Sequence, residues 1–319
     1  MFLLKGAVQM GMGSKWYRRT LLTITGFKFV EKMSTTYGKG LASRFIAGET
    51  LDEALDEVEQ LNGLGIMATL DHLGEGITEL SEAAAYKEQY IKLIEGIAAR
   101  KANTNVSLKP TQMGLGLDQT VCLSNIREVV KQARHCRNFV RIDMENSPYT
   151  QATIDIVRRL HKEGLTNVGT VLQAYLFRTQ QDAEDLLREQ INLRLVKGAY
   201  KEADAVAYQK TSEVVESFKS IIKLHLDNGV YTAIASHDDA IISWVKAYTR
   251  AKQIPKHAFE FQMLYGLRMN EQARLAKEGY RIRCYVPYGV MWYPYFTRRL
   301  AEKPANLMLV LKNMSTLKR

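Results

Sequence analysis

Short apolar runs alternate along the chain with longer stretches in which apolar residues recur every three or four positions. The runs are rich in β-branched residues and predict strands, and the longer stretches predict amphipathic helices. The predicted strands span 66–71, 105–109, 139–144, 169–174, 192–197, 231–236, 259–263 and 281–287. The helices that follow them span 79–101, 122–136, 149–163, 180–189, 203–228, 238–252, 267–278 and 293–303.

This alternation indicates a parallel sheet, and eight strand–helix repeats are the number in a (βα)8 TIM barrel. Two further helices are predicted before the first strand, at about 15–34 and 49–62. We therefore expect an α/β fold in two parts: an N-terminal helical segment, 1–63, packed on a catalytic barrel, 64–319. A doubly wound open sheet is the alternative, but no Gly-x-Gly-x-x-Gly follows the first strand.

Three cysteines and six histidines among 319 residues limit the possible chemistry. Cys122, Cys136 and Cys284 are too few and too far apart for a disulfide framework or a metal site, which favours a reducing compartment. His72 and His237 have no partner at metal-ligand spacing, so no metal is expected. The start of the chain shows no signal peptide, and a cytoplasmic location is expected.

The net charge of +10 is concentrated at the two ends of the chain. Residues 1–50 carry eight Lys and Arg against two acids, and residues 246–319 carry fifteen against four. Basic ends could contact nucleic acid or the anionic face of a membrane. Residues 16–30 mix Arg and Lys with Trp, Tyr, Leu, Ile and Phe, so they could lie on a bilayer or form an accessory helix on the domain.

Polar residues end every predicted strand, where a barrel collects its catalytic groups. In chain order they are Asp71, Lys109, Asp143 with Met144, Gln173, Arg194 to Lys197, Ser236 with His237, Gln262 and Tyr285. Such a series predicts an extended polar site for something larger than one small metabolite. Asp143 is better suited to orienting cations than to acting as a base, because surrounding Arg and Lys residues would keep it ionised.

The last predicted helix carries an adjacent pair, Arg298 and Arg299, and Tyr295, Arg299 and Glu302 share one face. Two guanidinium groups side by side suit a carboxylate held by a bidentate fork. The tyrosine adds an apolar wall and the glutamate an acceptor for an amine, so the pattern fits an amino acid. A solvated, salt-bridged helix face is the alternative for this pattern alone.

Two lysines allow more than one chemistry. Lys197 precedes Gly198, which lets the backbone approach a phosphate or simply makes a tight turn. Lys109 could bind a carboxylate or form a Schiff base. A Schiff-base lyase on the same barrel, using either lysine, and a basic membrane- or nucleic-acid-binding protein without chemistry therefore stay open as alternatives.

Eight ordered motifs between residues 70 and 306 resemble those of the monofunctional, bacterial-type proline dehydrogenases, flavoenzymes with a distorted (βα)8 barrel. The motifs are Leu70 to Glu75, Ser107 to Gly114, Arg141 to Glu145, Leu172 to Tyr175, Arg194 to Tyr200, Ala235 to Asp238, Glu260 to Gly266, and Tyr285 to Asn306. The chain departs from the family pattern at Ser236, where Thr is expected, and at Val290-Met291, where a polar pair is common.

The resemblance implies oxidation of L-proline to 1-pyrroline-5-carboxylate, the first step of proline degradation to glutamate, with hydride passing to N5 of FAD. It implies that electrons then pass to a quinone by peripheral contact with the cytoplasmic membrane, and it gives nucleic acid no role. The residues implied for FAD are Met144, Gln173, Arg194, Val196, Lys197, Gly198, Ala199, Ser236 and His237. Those implied for proline are Lys109, Leu195, Tyr285, Tyr295, Arg298, Arg299 and Glu302, and the catalytic positions are Asp143 and Arg194.

Overall fold

A computed structural model describes residues 45–74 and 76–292 of the chain. Its eight strands pair in chain order, each parallel to the next, and β8 closes on β1 to form a barrel. The strands are β1 (Met67–His72), β2 (Thr104–Leu108), β3 (Val140–Ile142), β4 (Val168–Gln173), β5 (Leu193–Val196), β6 (Thr232–Ala235), β7 (Phe259–Leu264) and β8 (Ile282–Tyr288). The predicted α/β barrel is therefore confirmed.

Eight α-helices lie within the described ranges, one before β1 and one after each of the first seven strands. They are α1 (Leu51–Gly63), α2 (Leu80–Arg100), α3 (Gln119–His135), α4 (Thr150–Lys162), α5 (Thr179–Arg188), α6 (Thr211–Asp227), α7 (Asp239–Ala251) and α8 (Met269–Lys277). Short 3-10 helices occupy Ser147–Tyr149 and Lys256–Ala258. The predicted helices 15–34 and 293–303 lie outside the described residues.

Helix α1 begins with a capping box that its sequence encodes. The Thr50 side chain accepts from the backbone N–H of Glu53, and the Glu53 carboxylate accepts from the N–H of Thr50. The buried face of the helix, which includes Leu55 and Val58, joins the main apolar core beside β1 and β8. The predicted helix 49–62 is thus present and packed on the barrel, and the division of the chain after residue 63 stays a prediction.

The stretch 203–228 was predicted as one helix, but the helix begins only at Thr211. Residues before it pair instead with the loop after β4. The N–H of Phe177 donates to the carbonyl of Val206, and the N–H of Tyr208 donates to the carbonyl of Tyr175. Tertiary backbone pairing therefore outweighs the helical pattern in this segment and fixes the β5–α6 loop over the end of β4.

The two faces of each strand have different surroundings. One face supplies apolar side chains such as Leu70, Val106 and Phe261 to a core that continues into the helices. The alternate positions, including Asp71, Ser107 and Gln262, belong to side chains that bond to one another across the barrel. The barrel interior is therefore polar, whereas branched apolar residues usually fill it.

Candidate active site

Four side chains meet at the C-terminal mouth of the barrel, from β1 and β8 and from the residues just after β2 and β3. Lys109 Nζ lies 2.7 Å from Asp71 Oδ2. The Tyr285 hydroxyl lies 2.7 Å from the same oxygen and 2.9 Å from Asp143 Oδ2. All four are separated widely in sequence, and the closed barrel brings them together.

Arg194, on β5, lies at the centre of this cluster. Its Nη1 donates to Asp143 Oδ1 at 2.6 Å, its Nη2 to Ser107 Oγ at 2.8 Å, and its Nε to Gln262 Oε1 at 2.6 Å. The guanidinium carbon lies 5.3 Å from the ring centroid of Tyr285, within cation–π distance. Four other strands or their ends therefore fix both the plane and the direction of one guanidinium group.

The Tyr285 hydroxyl carries one hydrogen but lies within hydrogen-bond distance of two carboxylates. Both contacts are fully satisfied only when one of the acids holds a proton. Burial raises the pKa of Asp143, and Arg194 opposes that shift. Nearby cations were expected to keep Asp143 ionised, but desolvation has the larger effect on its pKa.

Residues at the ends of β4 and β5 form a second part of the mouth. Gln173 donates to the carbonyl of Glu145 at 2.8 Å, and the N–H of Ala199 lies 3.5 Å from Gln173 Oε1. Gly198 has a φ of +123°, and a Cβ there would lie 2.4 Å from the ring of Tyr175. Glycine is therefore required at 198 by backbone conformation and by the packing of Tyr175 beneath the turn.

Ser236 and His237 follow β6 and are fixed by their neighbours. The N–H of Leu264 donates to His237 Nε2 at 3.0 Å, so a neutral ring carries its hydrogen on Nδ1. The Ser236 hydroxyl accepts from the N–H of Asp238, whose carboxylate pairs with Lys197 at 2.6 Å. These contacts link the ends of β5, β6 and β7 to one another.

The structure places most of the predicted site residues at one end of the barrel. Met144 is buried just after β3, Leu195 is buried within the apolar core, and Val196 is half-buried at the end of β5. Tyr295, Arg298, Arg299 and Glu302 lie outside the described residues, so their role stays a prediction. Val290 and Met291, which replace a polar pair, are exposed.

Several residues that support the site have no role predicted from the sequence. Asp71 and Gln262 were noted only as polar strand ends, although Asp71 contacts both Lys109 and Tyr285. Tyr90 of α2 also donates to Asp71, at 3.2 Å. The available signal was alternation: polar residues at every second position of an otherwise apolar strand face the barrel interior.

Two further findings concern other classes of site. Across 45–74 and 76–292, no group of three or more His, Cys, Asp or Glu residues is arranged to hold a metal ion. In the same part of the chain, no helix combines the length and apolar character needed to cross a bilayer.

A family model described as proline dehydrogenase matches residues 54–310 of this sequence. The chain belongs to that family. It is 44% identical over 298 residues to proline dehydrogenase 1 of Bacillus subtilis, covering 93% of this chain and 98% of the relative. It is 40% identical over 302 residues to proline dehydrogenase of Deinococcus radiodurans, covering 93% and 97%.

A solved structure agrees with the family. Proline utilization A (PutA) of Bdellovibrio bacteriovorus, inactivated by N-propargylglycine, superposes with a TM-score of 0.77 at 26% identity over 82% of this chain and 32% of the PutA chain. The chain is thus an oxidoreductase of the proline dehydrogenase family, and proline oxidation is the first step of proline catabolism. The family is one of flavoenzymes.

Proposed function

We propose that the protein oxidises L-proline to 1-pyrroline-5-carboxylate with FAD as its bound cofactor. The observation that carries this proposal is the oriented Arg194 guanidinium, paired with Asp143 at the barrel mouth and beside Lys109 and Tyr285. The flavin, when bound, accepts the hydride from the carbon beside the ring nitrogen. The protein's part is to place the substrate and to supply electrostatics.

The residues after β3, β4, β5 and β6 fit FAD by their chemistry. A dinucleotide presents a pyrophosphate dianion and a flavin ring with several acceptors. The mouth offers cations, backbone N–H groups and a histidine with its hydrogen on Nδ1. We propose that Met144, Gln173, Arg194, Val196 to Ala199, Ser236 and His237 hold the cofactor.

We propose that Lys109, Arg298 and Arg299 bind the carboxylate of proline. Lys109 is already oriented by Asp71, and its ammonium lies at the mouth of the barrel. Tyr285, Tyr295 and Leu195 would wall the ring, and Glu302 would steady the arginine pair. Arg299→Lys should raise the KM for proline strongly with FAD still bound, because lysine lacks the bidentate fork. An unchanged KM would remove Arg299 from the substrate site.

Asp143 and Arg194 are the proposed catalytic residues. Arg194 offers a fixed positive charge where negative charge develops during oxidation, and its orientation needs no rearrangement at that moment. Asp143 fixes one edge of that guanidinium and, through the hydroxyl of Tyr285, connects it to Asp71. The charged groups at the mouth are thus held in position before the substrate binds.

The described contacts do not favour the alternative of a Schiff-base lyase. An ammonium paired with a carboxylate lacks the free electron pair that attacks a carbonyl. Lys109 is paired with Asp71 at 2.7 Å and Lys197 with Asp238 at 2.6 Å. Borohydride with substrate should therefore trap no covalent adduct on either lysine.

We further propose that a membrane quinone accepts the electrons from a cytoplasmic enzyme that touches the membrane peripherally. The basic ends of the chain support this, since each Lys or Arg near an anionic surface contributes about 1 kcal/mol. Co-sedimentation with anionic and neutral vesicles at low and high salt tests the contact, and turnover with a short-chain quinone tests the acceptor. Binding that ignores lipid charge, or turnover with NAD alone, would contradict this proposal.

The test of the main proposal is an absorbance spectrum. The purified protein should show flavin bands, release FAD on denaturation, and lose the oxidised bands when L-proline is added without oxygen. D-Proline at the same concentration is the control. A folded protein that cannot be reconstituted with FAD, or whose bands ignore L-proline, would refute the proposed function.

A further inference from the structure

A chain of buried polar side chains continues below the active site toward the other end of the barrel. Gln262 Oε1 accepts from Arg194 Nε at 2.6 Å, and Gln262 Nε2 donates to Glu260 Oε1 at 2.5 Å. Glu260 in turn accepts from Arg283 at 2.8 and 3.1 Å and from the Tyr231 hydroxyl at 2.7 Å. Three strands, β5, β7 and β8, therefore share one line of hydrogen bonds.

The chemistry of the groups fixes the direction of this line. A guanidinium can only donate and a carboxylate can only accept, whereas an amide does both from different atoms. Gln262 lies between the two, so its oxygen must face Arg194 and its nitrogen must face Glu260. Rotating the amide by half a turn would bring donor against donor and acceptor against acceptor.

Burial makes that order costly to break. Glu260 is 2% exposed, Gln262 3% and Arg194 5%, so water has little access to replace a lost bond. Burial alone would raise the pKa of Glu260, but the charge of Arg283 and the hydrogen bonds from Arg283, Gln262 and Tyr231 together lower it. Glu260 is thus held as a charged acceptor, and the orientation of Gln262 depends on that charge.

We propose that Gln262 and Glu260 are positioning residues that hold the Arg194 guanidinium in its catalytic orientation. They act through Arg194 and stand below the substrate and cofactor surface. The proposal rests on the proposed function, in which Arg194 is catalytic. The Glu260 to Gly266 motif, which has no role in binding proline or FAD in that function, thereby acquires one.

Three variants test the proposal. Gln262→Met keeps the volume but removes the acceptor from Arg194. Gln272→Met is the matched control, because Gln272 is also a buried amide but lies in α8, where its nitrogen donates to the carbonyls of Leu264 and Leu267 and to the sulfur of Met269. The double variant Glu260→Gln with Gln262→Glu exchanges carboxylate and amide, so the line keeps its net charge and Arg194 Nε again meets an acceptor. Its cost falls on Arg283, whose Nε donates to the Glu260 Oε1 that the amide nitrogen replaces.

Two measurements are made on each protein. Nitrogen-15 NMR of arginine side chains in the cofactor-free protein reports exchange of the Arg194 Nε–H, with Arg194→Lys identifying the resonance. The FAD-loaded protein gives the flavin midpoint potential, kcat and KM. Gln262→Met should expose the Nε–H to exchange, shift the potential, and lower kcat about tenfold or more with little change in KM. The exchanged double variant should again protect the Nε–H from exchange, because Arg194 regains its acceptor, and Gln272→Met should change none of the three.

The proposal would be overturned if Gln262→Met gave the same NMR and kinetic results as Gln272→Met. If Gln262→Met does not fold, single Gln262→Glu replaces it, since two facing carboxylates should disturb the line more than the exchanged pair. Equal exchange rates of the Arg194 Nε–H in these two proteins would also overturn it. A wild-type protein that is not reduced by proline would refute the proposed function alone, because the NMR comparison needs no cofactor.

Discussion

Strand β7 has two faces that differ in what they require of their side chains. On one face Phe259 and Phe261 pack edge to face at 5.5 Å, and Phe261 packs against Tyr280 at 5.6 Å. On the other face Glu260 and Gln262 hydrogen-bond to each other, Gln262 also accepts from Arg194, and Glu260 also accepts from Arg283. The outer face needs apolar volume, whereas the inner face needs one donor or acceptor at each point.

This difference separates stability from chemistry. A buried apolar side chain contributes about 1.5–3 kcal/mol by leaving water, and similar volumes can replace it at modest cost. A buried hydrogen bond contributes only about 1 kcal/mol net. Removing one partner costs more, because it leaves a buried donor or acceptor unsatisfied and changes the orientation of the neighbouring polar groups. We therefore expect outer-face variants to lower stability and inner-face variants to lower catalysis.

The largest expected effect is on the outer face. Phe261 is fully buried, and Phe261→Ala should lower the free energy of unfolding by about 3–5 kcal/mol, because it leaves a cavity in the core. Urea denaturation measures the loss, and Phe261→Leu should lose less. A loss below that of Phe261→Leu would mean that this core is not closely packed.

A second effect concerns pH and the outer helices. His225 of α6 is fully buried, and burial lowers its pKa from 6.5 to about 4. Between those values the unfolded chain binds a proton that the folded protein refuses, so stability falls as pH falls. The loss approaches about 3 kcal/mol near pH 4, since one pKa unit corresponds to about 1.4 kcal/mol.

Urea unfolding at several pH values measures this dependence. His225→Leu should flatten the slope between pH 6.5 and 4, and His257→Leu, at an exposed position, serves as the control. Equal slopes in the wild type and His225→Leu would show that other groups carry the acid sensitivity.

A smaller effect, on kcat/KM, is expected at the inner face when the Tyr285 hydroxyl is removed. Tyr285→Phe removes the hydroxyl between Asp71 and Asp143, and that hydroxyl lowers the pKa of Asp143. The pKa of Asp143 should therefore rise, and the acidic limb of kcat/KM should move to higher pH. Near neutral pH we expect about a tenfold loss. If the acidic limb of kcat/KM does not move, Asp143 is not the group that causes the observed pH dependence.

The smallest effect is expected at two thiols. Burial raises the pKa of both Cys122 and Cys284 to about 12, so almost no reactive thiolate exists at pH 8. Iodoacetamide should leave both unmodified in the folded protein, as read by mass spectrometry, and should modify both in urea. Rapid alkylation of either in native conditions would show that the core opens locally.

The sequence allowed the barrel to be predicted because hydrophobic alternation is local. Each strand body and helix face could be read from neighbouring residues, and all eight strands were found. The loop at 203–210 was missed because its structure depends on backbone pairing with residues 175–177, distant in sequence. The strand that ends at Ile142 was predicted to continue to Met144, because Met144 is apolar and follows Ile142 at the spacing of strand alternation.

The candidate site could be predicted only in part. Family resemblance supplied Asp143, Arg194 and Lys109, and the structure brings them to one mouth. The supporting groups Asp71 and Glu260 were not given roles, because most of their partners are more than twenty residues away in sequence. An acid at a strand end is also equally compatible with a salt bridge at the surface. Only closure of the barrel shows which partners they meet.

The central claim is that the inner face of the barrel carries the chemistry and the outer face carries the fold. It is tested most directly by the rate of anaerobic flavin reduction by L-proline in Asp143→Asn and Phe261→Leu, at equal FAD occupancy. In Asp143→Asn, L-proline should reduce the flavin at least about a hundredfold more slowly than in the wild type, because Arg194 loses its charged partner. Phe261→Leu should reduce at close to the wild-type rate despite lower stability. The reverse order, or equal rates, would contradict the account.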